Sequence, residues 1–132
     1  MKIVINNCFG GFGLSDKAIL RYAEIKGIRL YQSKERMGLG YSYYLVPEDE
    51  YNRLYAEDIK RGNFKLSNEV YFSDDEIKRT DHALIQVVEE LGEEVNERFA
   101  NLVVVEIPDD VKWEITEYDG VETIEEEHRK WS

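Results

Sequence analysis

Cysteine, histidine and proline are almost missing from this chain of 132 residues, which has one, two and two of them respectively. Each scarcity excludes something. Cys8 alone cannot form an internal disulfide. His82 and His128 lie far apart in sequence and, with one cysteine, make no recognisable zinc spacing, so no metal is expected. A phosphatase-type loop built on Cys8 would need arginine at position 14, where Leu14 stands, and a Cys–His pair would have to recruit one of those two distant histidines. The simplest reading of Cys8 as chemistry is therefore a small buried thiol. Long apolar runs are missing too. Nothing approaches the roughly eighteen residues of a membrane span, and no charged leader precedes an apolar stretch, so a reducing cytoplasm is the expected address. Basic residues are few: 17 against 28 acidic ones, a net charge of −11. Phosphate polymers are held by many lysines and arginines, so neither DNA nor RNA is an expected partner, and an anionic membrane is equally disfavoured. A small anion stays open, because a local cluster of donors outweighs a distant charge that salt screens.

What is present reads as a folded α+β domain. Apolar residues make up 42% and aromatics 12% of the chain, too many for a disordered segment. The length suggests a single domain over residues 1–132. Ile3, Val4 and Ile5 mark a buried strand from Lys2 to Asn6. Ser15 or Asp16 can cap a helix with an apolar face of Ile19, Tyr22 and Ala23, closed at Gly27. Short strands are expected at 28–31, 41–46 and 70–72, and a helix opened by Pro47 from Glu48 to about Arg61 and ended by Gly62. Residues 63–69 read as a polar loop. Ser73 and Glu76 have the spacing of a capping box. Asp81 caps the expected longest helix, whose stripe is Leu84, Val88, Leu91, Val95 and Phe99, with Gly92 as a breaking point. A strand at 102–107 stops at Pro108, and Asp119-Gly120 is a two-residue hairpin turn between strands at 113–118 and 121–124. Strands and helices mix without a steady βαβ rhythm, which points to a mixed or antiparallel sheet with about three helices.

The opening loop is the leading candidate for chemistry. Asn6-Asn7-Cys8-Phe9-Gly10-Gly11-Phe12-Gly13 lies between a buried strand and a helix start. Glycines let backbone approach a ligand, N–H groups at the helix start favour an anion, and Phe9 and Phe12 can stack on a base. Against that stands a plain turn with both rings folded into the core. The pattern lacks the spacing of a dinucleotide fingerprint and the lysine of a P-loop, and Asp16 adds a negative charge nearby. Arg36 in a Gly-containing loop, Arg79 before the Asp81 cap and Arg98 late in the long helix could each clamp a phosphate. Each is more often a surface residue or an aspartate partner, and Arg79 with Asp81 could simply lock the helix start. Acidic pairs are too common here to single out two carboxylates for glycosidase-type chemistry.

Two stretches, MKIVINNCFGGFGLSD and RTDHALIQVVEELGEEVNERFANLVVVEIPDDVKWEITEYDG, with the closing EHRKW, resemble a set of small phage proteins that includes the first type of Thoeris anti-defence protein. The likeness covers most of the chain and is least clear from Gln32 to Leu66. It implies a non-enzymatic sponge in the infected host's cytoplasm. Such a sponge holds a glycocyclic ADP-ribose signal made from NAD by a bacterial TIR-domain enzyme, with no cofactor. It also implies a homo-oligomer, a dimer or a hexamer of dimers, with ligand near subunit interfaces, and in some members a separate site for cyclic oligonucleotides. Asn7, Phe9, Gly10, Gly11 and Phe12 match the family's opening motif, with Cys8 inside it, and Arg79 and Asp81 match its R-x-D. Proline often follows that aspartate in the family; His82 stands here, which weakens the carry-over at the helix start.

The resulting expectation is capture without turnover. Holding a scarce signal needs roughly nanomolar affinity, about −12 kcal/mol. One base stack at ~1–3 kcal/mol and a few charge-assisted hydrogen bonds at ~1.5–3 kcal/mol each can supply it from a preorganised pocket. Two alternatives belong to other classes: an enzyme that hydrolyses or modifies a nucleotide signal, and an acidic inhibitor docking on a basic partner protein.

Overall fold

The computed structural model describes residues 1–33 and 41–126. In chain order the elements are β1 (Lys2–Asn6), α1 (Asp16–Lys26), β2 (Tyr31–Gln32), β3 (Tyr43–Tyr44), α2 (Glu48–Arg61), α3 (Lys65–Glu69), β4 (Tyr71–Phe72), α4 (His82–Leu91), β5 (Leu102–Glu106), β6 (Trp113–Tyr118) and β7 (Val121–Glu126). Short 3-10 turns occupy Asp74–Glu76 and Gly92–Val95. All strand pairings among the described residues are antiparallel, and the class is α+β as the sequence suggests. No helix of the described residues is long and apolar enough to cross a membrane. The residues group into two compact units, Met1–Tyr22 with Asp74–Ser132, and Ala23–Ser73.

In the first unit β1 pairs with β5, Val4 facing Val104 and Asn6 facing Leu102. Ile3, Val4 and Ile5 are buried beneath α4, whose Leu84, Val87 and Val88 supply the other half of the core. Asp81 caps α4 by accepting from the N–H groups of Ala83 and Leu84. The helix stops at Gly92, so it is shorter than α2 and the expected stripe is cut. Val95 still reaches the core from the 3-10 turn, but Phe99 turns out to solvent, 63% exposed, and Arg98 is not helical. The hairpin β6–β7 closes on Asp119-Gly120 with φ of +56° and +87°, the two left-handed positions that a two-residue turn of this kind requires.

In the second unit β2, β3 and β4 form a small sheet, shorter than the expected strands and with β2 shifted beyond residues 28–30. The expected loop at 63–69 contains α3, a fourth helix. The cause lies in Asp58, fully buried near the end of α2. Its carboxylate accepts from the N–H of Leu66 (3.1 Å), the N–H of Ser67 (2.7 Å) and the Ser67 hydroxyl (2.7 Å), satisfying donors that so short a helix leaves open. Burial raises this carboxyl's pKa, but the three donors outweigh it and the net direction is down.

Candidate functional site

The opening loop leaves β1 at Asn6, whose side chain is fully buried and fully used. Its amide donates to the carbonyls of Cys8 and Gly120, and its carbonyl accepts from the N–H of Asn101. One residue therefore ties the loop to the hairpin turn and to the start of β5. Glycine is needed on both sides of that seam. A Cβ on Gly10 would lie 2.6 Å from the Cβ of Phe99, and one on Gly120 would lie 2.6 Å from the backbone nitrogen of Gly11. Gly10 has φ +102°, a conformation other residues adopt only with strain.

Arg79 secures the same corner from beneath. Its guanidinium grips Glu122 with two parallel hydrogen bonds, 2.5 and 2.9 Å, and its carbon lies 3.8 Å from the centre of the Phe12 ring. The Arg79 and Glu122 side chains are 17% and 8% exposed, and Glu122 also accepts from the N–H of Asn6 at 2.8 Å. This is a bidentate pair in a largely dry place, with a cation–π contact on the arginine's face. The expected Arg79–Asp81 lock is thus replaced: Arg79 belongs to Glu122. Asp81 holds α4 and accepts from the Tyr22 hydroxyl at 3.1 Å. Burial, then the Asp81 charge and hydrogen bond, push the Tyr22 phenol up to about 12.

The two phenylalanines of the loop part ways. Phe12 is half-buried under Arg79, while Phe9 is 68% exposed. Phe9 borders an open hollow of about 490 Å³ whose floor is one face of the hairpin: Thr116, Tyr118, Val121 and Thr123. Tyr118, 83% exposed, is the second aromatic ring lining the hollow. Thr116 and Thr123 face each other across the strands with their hydroxyls 2.8 Å apart. Glu117 and Glu125 also line the hollow and make it acidic. The backbone turns at Phe9–Gly10, and no described atom accepts from the N–H groups of Cys8, Phe9, Gly10, Phe12 or Gly13. Asn7 is exposed at the loop's edge and Cys8 is half-buried.

Behind the loop the chemistry is again acidic. Asp74 accepts from the N–H of Leu14, and Glu97 lies so close to Gly13 that a Cβ there would collide with its carboxylate. Burial, and then the charge of Asp75, raise Asp74; burial, and then Asp74, Asp16 and Asp75, raise Glu97. An anion is not favoured on that side. Arg98 lies on the surface with its guanidinium 5.2 Å from the Phe99 ring. Arg36 and the closing EHRKW lie outside the described residues. No group of acidic, histidine or cysteine side chains among the described residues could hold a metal ion.

The structure therefore brings Asn7, Phe9, Gly10, Gly11, Phe12 and Arg79 into one corner, places Asp81 beside it as a helix cap, and leaves Arg98 at its edge. Glu122 and Tyr118 are not among the residues the sequence singles out, Asn6 is singled out as a ligand donor rather than a brace, and Phe99 as a core residue of a helix. Only the hairpin alternation hinted at Glu122, since its neighbours Val121 and Thr123 face the other way. In comparisons with protein-family models, curated proteins and solved structures, nothing matches this chain, so its family is not established by relatives.

Proposed function

We propose that this chain is a sponge for a cyclised ADP-ribose signal, of the kind the Thoeris anti-defence resemblance implies, and that it holds the signal without converting it. The observation that supports this reading is Phe9. A large ring is held 68% exposed on a braced glycine loop, beside a hollow lined by a second exposed ring and next to unengaged backbone N–H groups. An apolar ring left in water on a rigid mount is a ready stacking surface for a base, and N–H groups on a turn suit a phosphate or ribose oxygen. The hollow is open, so a second copy of the chain would deepen it, and a homo-oligomer is part of the proposal.

The test is calorimetric titration with a TIR-generated cyclic ADP-ribose mixture, followed by heat release and mass analysis of the small molecule. Tight binding with the ligand returned unaltered is expected. A changed molecule would make the chain an enzyme, and absence of binding would overturn the sponge. Phe9→Ala is expected to weaken binding by roughly 5- to 150-fold, the loss of one stack at ~1–3 kcal/mol, with the thermal midpoint little changed because the ring is exposed.

A further inference from the structure

The unit Ala23–Ser73 contains a second concavity, more enclosed than the hollow beside Phe9 and unrelated to the sponge reading. It has a volume of about 270 Å³ and is lined by Tyr31, Tyr44 and Tyr51 together with Glu48, Gln32 and Asn52. The sequence places the rings there by three separate routes. Tyr31 and Tyr44 face one another across the β2–β3 ladder, and Tyr51 comes from the first turns of α2. Tyr44 and Tyr51 meet with ring centres 4.5 Å apart and planes inclined by 46°, which makes a corner rather than a flat stack. Behind them the row continues through Tyr55 and Phe64, stacked at 6.1 and 5.9 Å, so the corner is backed by other rings.

Three electron-rich rings and one carboxylate around a small cavity select by charge. Ring faces attract cations, and the attraction grows when water is excluded. The chain already shows this at the site's edge, where the Arg29 guanidinium lies 5.1 Å from the centre of the Tyr31 ring. Glu48 lines the cavity and Asp49 follows it in the first turn of α2, while Glu50 beyond them is paired with Arg53. That turn repels phosphate and attracts positive charge. We propose that this cavity is a binding site for a small organic cation of the alkylammonium class, with the Tyr31, Tyr44 and Tyr51 rings as its walls and Glu48 as its counter-charge. The volume suits a trimethylammonium head with a short polar tail, which Gln32 and Asn52 can hydrogen-bond. A nucleotide is the wrong sign for it.

The experiment is an NMR titration of the whole chain with choline, with its uncharged isostere 3,3-dimethyl-1-butanol, and with AMP. Choline should shift the resonances of Tyr31, Tyr44 and Tyr51, and the isostere should bind at least about tenfold more weakly, because it matches the shape but lacks the charge. Tyr51→Leu should abolish the choline shifts. Since Tyr51 also packs on Tyr44 and Tyr55, the deciding variant is Glu48→Gln, an exposed change that leaves the rings alone; it should weaken choline several-fold without altering the isostere. Equal affinity for choline and the isostere would overturn the proposal. So would shifts at these tyrosines from AMP instead of choline, or choline affinity untouched by Glu48→Gln.

Discussion

The two compact units bury different kinds of side chain. In Met1–Tyr22 with Asp74–Ser132 the interior is aliphatic: Ile3, Val4, Leu84, Val87 and Val95 are wholly buried, and β1, β5 and α4 close around them. In Ala23–Ser73 the buried apolar residues among those described are Ala23 and Tyr43, and the unit is joined by half-exposed rings and the Asp58 cap. The first unit draws on the hydrophobic effect in the usual way, so its surface can carry an exposed Phe9 and a tightly held loop. The second has little apolar burial to spare, and its cohesion depends on directional contacts. Rings packed edge to face are individually worth ~0.5–1.5 kcal/mol beyond their area.

The comparison can be broken most forcefully at Arg79. Arg79→Ala strands the buried Glu122 and is expected to cost about 3–5 kcal/mol, measured by denaturant unfolding. A double replacement of Arg79 and Glu122 by apolar residues should recover much of that. If the single change costs nothing, the corner is held by packing alone.

The next effect separates the units by pH. Asp58 has a depressed pKa, so its contribution is present above the unfolded value of about 3.9 and is lost as pH falls through the folded value. Asp74 and Glu97 have raised values, so their effect has the opposite sign: the increment they contribute is fully present below about 4 and is lost as pH rises through their folded values. Amide exchange followed from pH 6 to pH 3 should show α3 losing protection, and Asp58→Asn should remove that pH dependence. Protection of α3 that does not change over this range would refute the assignment.

Tyr22→Phe removes the hydroxyl that donates to Asp81 and should cost about 0.5–1.5 kcal/mol. In the parent, Tyr22 should ionise near about 12, with stability present below pH ~10 and lost between there and about 12; ultraviolet titration against the variant reads it directly. Smallest is Glu97→Gln, which removes one member of a like-charged group on the surface and should raise the thermal midpoint slightly at neutral pH, the gain fading at pH 4. A fall at neutral pH would mean that Glu97 has a favourable partner.

Local rules hold for most elements, the short strands of the second unit excepted. β1, α1, α2 with its Pro47 and Gly62 ends, the Asp81 cap and the Asp119-Gly120 turn all stand where periodicity and turn chemistry put them. The misses share one cause. Phe99 fits a helical stripe, but the backbone ends the helix at Gly92 and carries the ring outward. Residues 63–69 look like a loop because the cap that makes them a helix, Asp58, comes from the preceding helix rather than from the usual capping position. Half of the candidate corner was legible, since Phe9, Gly10, Gly11, Phe12 and Arg79 stand out as residue types, but what each touches was not.

From the sequence by itself came the class of the fold, most element ends, and the exclusion of an internal disulfide, because these depend on composition and on neighbours a few positions apart. Only the tertiary structure decided that Arg79 serves Glu122 rather than Asp81, that Phe12 is covered while Phe9 faces water, and that three tyrosines from different elements surround one cavity. Those outcomes depend on which residues meet across long stretches of chain, and a carboxylate shows its charge in sequence without showing which arginine it will reach.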